Sequence, residues 1–507
     1  MSTLSVKPKP QTIATNSSNV SSIKTISGRQ SKELIIGFCG AIGAGIKTVK
    51  RTTKKQLEQL GYEVIDIRMS QLMDRFPESA PYAKKAKESA FERYNQYQNL
   101  GDFLREKYSP QLLAEAAINE IAVNKQMKRD VNDMLQADEA KVAYLLDQLK
   151  NPAELELFRL VYPNNFYLIG VIRPEDERSR NLLEEGVEHP KISNLIQRDK
   201  KSAGNNGQNT EKTILDSDIF ILNTHNHLKH LQSSIDRFIK LIHGVNGITP
   251  TSHEKGMFAA FSASLQSACL SRQVGAAITD NEGNVIALGK NDVPKPFGGL
   301  YSADDGEKDH RCIHKGGKCY NDTHKFKIKN KIKLLLEKAN VENFEELTDE
   351  ICSSGISSLI EFSRSIHAEM DAITSIARSG KSSTQNSILY TTTYPCHNCA
   401  RHIVAAGIVK VFYIQPYEKS LALDLHDDAI SSGKDSAKVI FEAFEGVSPR
   451  RYSKFFFPSA ERKDSLGKAV AITTKYKHHV DIQFLDSYQD YEKRISRDYL
   501  KKLNPEG

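Results

Sequence analysis

Two short segments constrain this chain more than any other part of it. One is His367-Ala368-Glu369; the other is Pro395-Cys396-His397-Asn398-Cys399. Cys396 and Cys399 stand three residues apart, so on a helix they share one face. Pro395 suits the first helical position, where a missing N–H costs nothing. The positive end of that helix favours ionised thiols. The spacing of Ile366, Met370, Ile373 and Ala377 predicts a second helix, opened by His367. Two thiolates and one imidazole are the ligand set of a catalytic zinc, which keeps a fourth position open for water. Glu369, two residues beyond the histidine, then handles protons and does not bind the metal. A structural zinc would need a fourth protein ligand. His397 and His402 are candidates for it, and both fit equally as packing or solvent-facing residues.

The rest of the chain supplies the frame. Its 507 residues are too many for one ordinary core. A hydrophobic share of 39% and a charged share of 26% exclude a wholly disordered or collagen-like chain. No apolar run reaches the length of a membrane span, so no membrane partner is expected. A net charge of +7 on 70 basic and 63 acidic residues does not by itself argue for nucleic acid. Seven cysteines are an odd, sparse count for a secreted disulfide scaffold, which favours a reducing, cytoplasmic setting. Residues 1–30 contain seven Ser and no Asp or Glu, and read as a disordered tail.

Order is expected from Glu33. Residues 34–39 form a short apolar strand, glycines follow, residues 47–60 suit a helix, and 63–67 alternate like a second strand. Residues 77–160 read as helical. Strands are expected at 165–172 and 218–223, with a helix at 225–243 closing an α/β domain near residue 245. Residues 244–251 have the Gly, Pro and Thr content of a linker. A second α/β region follows: a helix at 254–270, a hairpin of strands 273–279 and 285–291, an irregular excursion at 298–331, then strand 387–393, helix 395–406 and strand 409–417. The last 90 residues or so give no clear pattern.

The order H-x-E, then P-C-x-x-C, matches the signature of zinc deaminases acting on cytosine or adenine. Arg272-Gln273-Val274-Gly275-Ala276, Gly289-Lys290-Asn291, His367-Ala368-Glu369 and residues 394–400, with the strand ending at Tyr417, resemble the deoxycytidylate deaminase branch of the cytidine deaminase superfamily. Residues 33–465 as a whole resemble bacterial antiphage dCTP deaminases, which join an N-terminal P-loop kinase-like domain to a C-terminal deaminase domain. The segments TYPCHNCARHIVAAGI and GVSPRRY carry that likeness. The resemblance implies a P-loop kinase-like domain over 31–245, a cytidine-deaminase-like α/β/α sandwich with a mixed sheet over 246–465, and an extension over 466–507. It implies zinc-dependent hydrolysis of dCTP or dCMP to deoxyuridine nucleotides, draining dCTP from phage DNA synthesis. The alternatives are a dCMP deaminase of pyrimidine synthesis and a deaminase of tRNA or single-stranded DNA. A homo-oligomer and a nucleotide or RNA regulator are expected on the same likeness.

Other residues read less sharply. The resemblance points to Asn291 as a contact to sugar or base, and a strand-end turn residue fits as well. Arg272 suits a phosphate or interface role, or a solvated helix end. Gly40, Gly43 and Gly45 have the placement of a phosphate cradle after a strand, but Ile46 stands where a Walker A loop needs Lys. Lys47 and Thr48 come one residue late, so nucleotide binding, regulation or a retained scaffold is expected rather than phosphoryl transfer. Arg173, Arg178 and Arg180 read as lid-like phosphate contacts or a solvated charge run. His310, Cys312, His314, Cys319 and His324 suggest a second, structural zinc near Cys312 and Cys319. Cys39, Cys269 and Cys352 sit in or beside apolar runs and read as inert thiols.

Overall fold

The computed structural model describes residues 22, 30–131, 141–200, 207–224, 228–356, 359–417, 420–433, 435, 437–458, 461–470, 479–481 and 483. The expected N-terminal tail and most of the C-terminal extension lie outside these residues.

Two six-stranded sheets organise the chain. In the first, β1 (Leu34–Gly40) is central, flanked by β3 (Val142–Asp147) and β4 (Phe166–Ile172). β2 (Glu63–Arg68) lies beyond β3, and β5 (Ile219–Leu222) beyond β4. These five strands run parallel. Every residue of β1 is buried because helices cover both sheet faces, which explains its continuous apolar run. The helix after it, α1 (Ile46–Gln59), buries Ile46, Val49, Thr53 and Leu57 along one stripe.

β3 overturns the reading of residues 77–160 as helical throughout. Val142 to Leu146 are buried on both faces, so no period-2 alternation marks them. Long helices flank them in sequence, α2 (Ala90–Lys107) and α3 (Leu112–Val131), and their Ala and Leu content reads as helix. Elsewhere the expected elements occur, with ends moved by a few residues. The helix expected at 254–270 ends at Ser264, and residues 320–331, expected to be irregular, belong to a helix over Tyr320–Lys338.

The second sheet is mixed, with order β10-β11-β9-β8-β6-β7. β6 (Gly275–Thr279) pairs antiparallel with β7 (Val285–Lys290) and β8 (Ile388–Thr393). β8, β9 (Lys410–Gln415), β11 (Val439–Ala443) and β10 (Ile430–Ser431) continue in parallel. Alternate residues serve opposite faces. Ala276, Ile278 and Leu389 pack with Ala372, Cys399 and Ile403, while Ala277 and Tyr390 pack with Met257 and Ala260. The sheet is therefore sandwiched between helices, an α/β/α arrangement.

The two sheets are joined by more than a linker. α4 (Leu228–Ile242) ends the first half, and α5 (Ser252–Ser264) opens the second. Thr251 caps α5, accepting from the Glu254 N–H at 3.1 Å, while Glu254 accepts from the Thr251 N–H at 2.8 Å. Arg237 of α4 donates to both carboxylate oxygens of Glu254 at 2.8 Å, and the Val447 N–H donates there too. β12 (Gly446–Val447), which follows the second sheet, pairs antiparallel with β5 of the first. Phe220 of β5 packs with Met257, Tyr390, Phe412 and Phe444 in the second half's core. Burying such a ring contributes about 2–3 kcal/mol. No helix among the described residues is long and apolar enough to cross a membrane.

Candidate active site

Two helix starts meet at the carboxyl end of β8. His367 is the N-cap of α8 (Ala368–Ser379), and Cys396 is the N-cap of α9 (His397–Ala405). Pro395 therefore precedes the cap instead of occupying the first helical position, a correction to the sequence reading. Cys399 lies in the first turn of α9 and is fully buried.

The ligand atoms converge. The Nδ1 of His367 lies 3.3 Å from the Cys396 Sγ and 3.4 Å from the Cys399 Sγ. All three donors lie within 4.8 Å of one another. A tetrahedral zinc with ordinary bond lengths separates a sulfur and a nitrogen ligand by about 3.5 Å. The three side chains thus fit one zinc ion without rearrangement. The imidazole is held up at about 9, first by its hydrogen bond with Cys396. Cys396 is pulled down to about 4, chiefly by the hydrogen bond from Cys399, with burial opposing and the imidazole assisting. The same bond, with burial, pushes Cys399 up, and a coordinating metal would deprotonate that thiol outright.

Glu369 sits beside this cluster. The Cys399 Sγ lies 3.6 Å from its Oε2, and the carboxyl is buried. Desolvation raises its proton affinity above the ordinary carboxylate value.

What holds α8 in place was only partly legible in the sequence. A Cβ on Gly289 of β7 would lie 2.1 Å from the Ala368 carbonyl oxygen and 2.5 Å from the Ala372 nitrogen. Glycine is what lets the helix carrying Glu369 lie against the sheet. The Lys290 N–H also donates to Asp371 Oδ2 at 3.1 Å. Asp292 was missed altogether. Its carbonyl accepts the Ile366 N–H at 3.0 Å, and its buried carboxylate accepts from the Ala268 and Val293 N–H groups. Arg311 approaches that carboxylate at 3.7 Å and pairs with Asp309 at 2.6 Å. No local motif signals this cluster, because its members meet only through the fold.

Other sequence candidates fare differently. Asn291 is buried, and its side chain is engaged with backbone: Oδ1 accepts from the Val274 N–H at 2.7 Å and Nδ2 donates to the Arg272 carbonyl at 2.8 Å. Arg272 is exposed, with its guanidinium 5.8 Å from the Tyr417 ring. Burial and the nearby Cys396 raise the Tyr417 hydroxyl's pKa. Among the described residues, His367, Cys396 and Cys399 form the one His, Cys or acidic group able to hold a metal. His310, Cys312, His314, Cys319 and His324 do not converge on a common point. Arg364 donates to the His310 carbonyl at 3.1 Å, and His314 lies 3.4 Å from Asp309.

The glycine loop of the first half sits at the carboxyl end of β1. Gly43 and Gly45 have φ of 79° and 76°, where a side chain would be strained. Three of its backbone groups have side-chain partners. Asn223 Nδ2 donates to the Ala44 carbonyl at 2.8 Å, Asn181 Nδ2 to the Gly43 carbonyl at 3.2 Å, and the Ile42 N–H to Asp199 at 2.7 Å. Arg173 leans on Gly43 at 3.5 Å, and Arg178 pairs with Glu175 at 3.1 Å. Ile46 is buried and Lys47 is exposed.

Residues 250–415 match the profile of the cytidine and deoxycytidylate deaminase zinc-binding region. The chain is 31% identical over 172 residues to the deoxycytidylate deaminase of Enterobacteria phage T4, a match covering 32% of this chain and 76% of the phage protein. The phage T2 deoxycytidylate deaminase is also 31% identical, over 170 residues, covering 32% of this chain and 78% of that protein. A crystal structure of the cyanophage S-TIM5 dCMP deaminase in complex with dCMP and dUMP aligns at 22% identity, covering 39% of this chain and 100% of that one, with a TM-score of 0.24. That score is too low to bear on the fold. This chain belongs to the cytidine and deoxycytidylate deaminase family. It is a zinc-binding hydrolytic deaminase.

Proposed function

We propose that the chain hydrolyses deoxycytidine nucleotides, dCTP and dCMP, to the deoxyuridine nucleotides and ammonia, draining dCTP in antiviral defence. The observation that carries the chemistry is the convergence of His367, Cys396 and Cys399 beside the buried Glu369. A zinc ion held by the first three supplies Lewis acidity and a water activated near neutral pH. Glu369 moves the protons. Its raised affinity suits it to take a proton from the attacking water, pass it to the ring nitrogen, and return a proton to the departing amine. The oxygen of water ends on the ring carbon, and the exocyclic nitrogen leaves as ammonia. Burial excludes bulk water from Glu369 during those transfers.

The substrate class is supported by the names of the two phage relatives, both deoxycytidylate deaminases. Arg272, cationic and exposed, is the residue we assign to the phosphates. Asn291 shapes the turn beneath the nucleotide, and meets the sugar only by exchanging a backbone bond. In the P-loop kinase-like first half, the region of Gly40, Gly43, Gly45, Lys47 and Thr48 is a regulatory nucleotide site without phosphotransfer. This assignment is supported by Ile46, which occupies the Lys position and points into the core. The enzyme acts in the cytoplasm as a homo-oligomer with one zinc per chain.

The test is ammonia release from dCTP, dCMP, CTP, CMP and a cytosine-containing oligonucleotide at equal concentration. Turnover of the two deoxynucleotides above the others is expected. Preference for the oligonucleotide would replace this reading with nucleic-acid deamination, and turnover of dCMP alone would make the protein an enzyme of pyrimidine synthesis.

A further inference from the structure

We propose that the solvent face of the helix inserted ahead of His367 docks on an acidic, leucine-bearing segment, residues 421–428, of a second copy of this chain. The inserted helix, α6 (Tyr320–Lys338), has 19 residues and buries none of them. One side meets a second helix, α7 (Phe344–Ser354), with Lys329 pairing with Asp349, and Lys333 with Glu345 at 2.5 Å. The opposite side carries Leu334 and Leu335, exposed at 54% and 67%. Lys327, Lys331 and Lys338 lie among them, also exposed, and make no ion pair among the described residues. Spacings of three, four and seven residues place these five side chains on one continuous face. A 19-residue helix with a bare apolar and basic face is poorly placed as a monomer surface.

A matching surface lies elsewhere on the same molecule. Leu421, Leu423 and Leu425 are exposed at 47%, 38% and 56%. Asp424, Asp427 and Asp428 are interleaved with them, exposed and without an ion pair among the described residues. Two leucines with three lysines thus face a segment that carries leucines and three aspartates. Apolar contact supplies the buried centre, and charge pairing fixes orientation and register. The two patches differ, so the contact is head-to-tail: each copy offers its helix to one neighbour and its acidic segment to another. Such contacts close into rings when the rotation allows.

Both patches are rooted beside the metal ligands. Arg364, three residues before His367, lies 5.1 Å over the ring of Tyr320 at the start of α6. Ser420, next to Leu421, donates to the carbonyl of Pro395 at 2.8 Å, and Pro395 precedes Cys396. Docking would therefore brace the loops carrying the zinc ligands of adjacent copies.

The experiment uses the full-length, zinc-loaded protein, with mass read by light scattering and native mass spectrometry at physiological salt. Lys327→Glu with Lys331→Glu, and separately Asp427→Lys with Asp428→Lys, should each lower the assembled mass about two-fold or more, with thermal stability and zinc content unchanged. Mixing the two variants should restore the wild-type mass, because each then offers the charge the other lacks. A monomeric wild type, unchanged mass in both variants, or failure of the mixture to reassemble would each overturn the proposal. Mass is read independently of turnover, so this outcome stands apart from the substrate reading above.

Discussion

The molecule has two places where the carboxyl end of a strand leads into a helix N-terminus, and they are finished in opposite ways. At the carboxyl end of β1, the glycine loop is tied to its own chain: Asn223, Asn181 and Asp199 each take a backbone group of it. At the carboxyl end of β8, the polar side chains face one another. His367 and the two cysteines share short contacts, and Glu369 is reached by a thiol. One arrangement ties backbone groups to side chains and holds the loop in shape. The other concentrates donors that gain most from a metal and a substrate. Similar local architecture therefore says little about chemistry until the partners of each polar atom are counted.

The strongest way to break this contrast is to remove a donor from the second place. Cys399→Ala should take zinc from about one per chain to near none and abolish turnover, because three ligands become two. Metal analysis beside an activity assay checks it, and a variant retaining full zinc would remove the assignment. Next in size is Glu369→Gln, which should keep zinc and fold while lowering kcat on the order of 100-fold or more. Near-normal turnover would show that another group carries the protons.

Gly289→Ala sharpens the comparison from the packing side. The added methyl meets the Ala368 carbonyl, so α8 must shift. A loss of about 1–3 kcal/mol in stability is expected, together with a drop in kcat larger than Gly61→Ala gives, where open space surrounds the residue. At the glycine loop, by contrast, Lys47→Ala should leave both deamination and stability nearly unchanged, since Lys47 is exposed. Titrating wild type and variant with ATP or dNTPs then tests whether that loop regulates, and detectable phosphotransfer in wild type would sink the regulatory assignment.

The smallest expected effect is on pH. Burial lowers the proton affinity of His243, which faces Tyr62, His479, the Ile239 carbonyl and Lys141. Burial does the same to His253, beside Tyr390, Phe412, Lys410, Glu442 and Glu254. A histidine whose folded affinity is depressed contributes stability above its unfolded value, near 6.5, and that contribution fades as pH falls below it. The melting temperature should therefore decline from pH 7 to pH 5, and His243→Gln with His253→Gln should flatten the decline.

The contrast between the two places also marks what the sequence could show. The metal cluster was legible because its spacing is local: i and i+3 on one helix start, and i and i+2 at the other. In the first half β1, β4 and β5 were legible as apolar runs and β2 as an alternation, whereas β3 lies between helices whose Ala and Leu content reads as one helical stretch. The Cys- and His-rich excursion was legible by residue type but not by arrangement. Its residue types suggested a second zinc, but the fold uses Asp309, Arg311 and Asp292 as an ion cluster behind His367 and leaves the histidines apart. Long-range pairing of that kind leaves no periodic trace. Truncating Arg311 would leave Asp309 with only His314 beside it and lower stability.

The pairing of β12 with β5 has a consequence for how the protein comes apart. A protease that cleaves between Gly244 and Thr251 severs one connection only. The fragments remain held by the added strand, by the buried Arg237–Glu254 fork and by Phe220. Expressing the family-matched region alone would expose the surface from which Phe220 was withdrawn and leave Glu254 without its arginine. Limited proteolysis should thus yield a nicked species that still migrates as one particle, and fragments that separate only in denaturant.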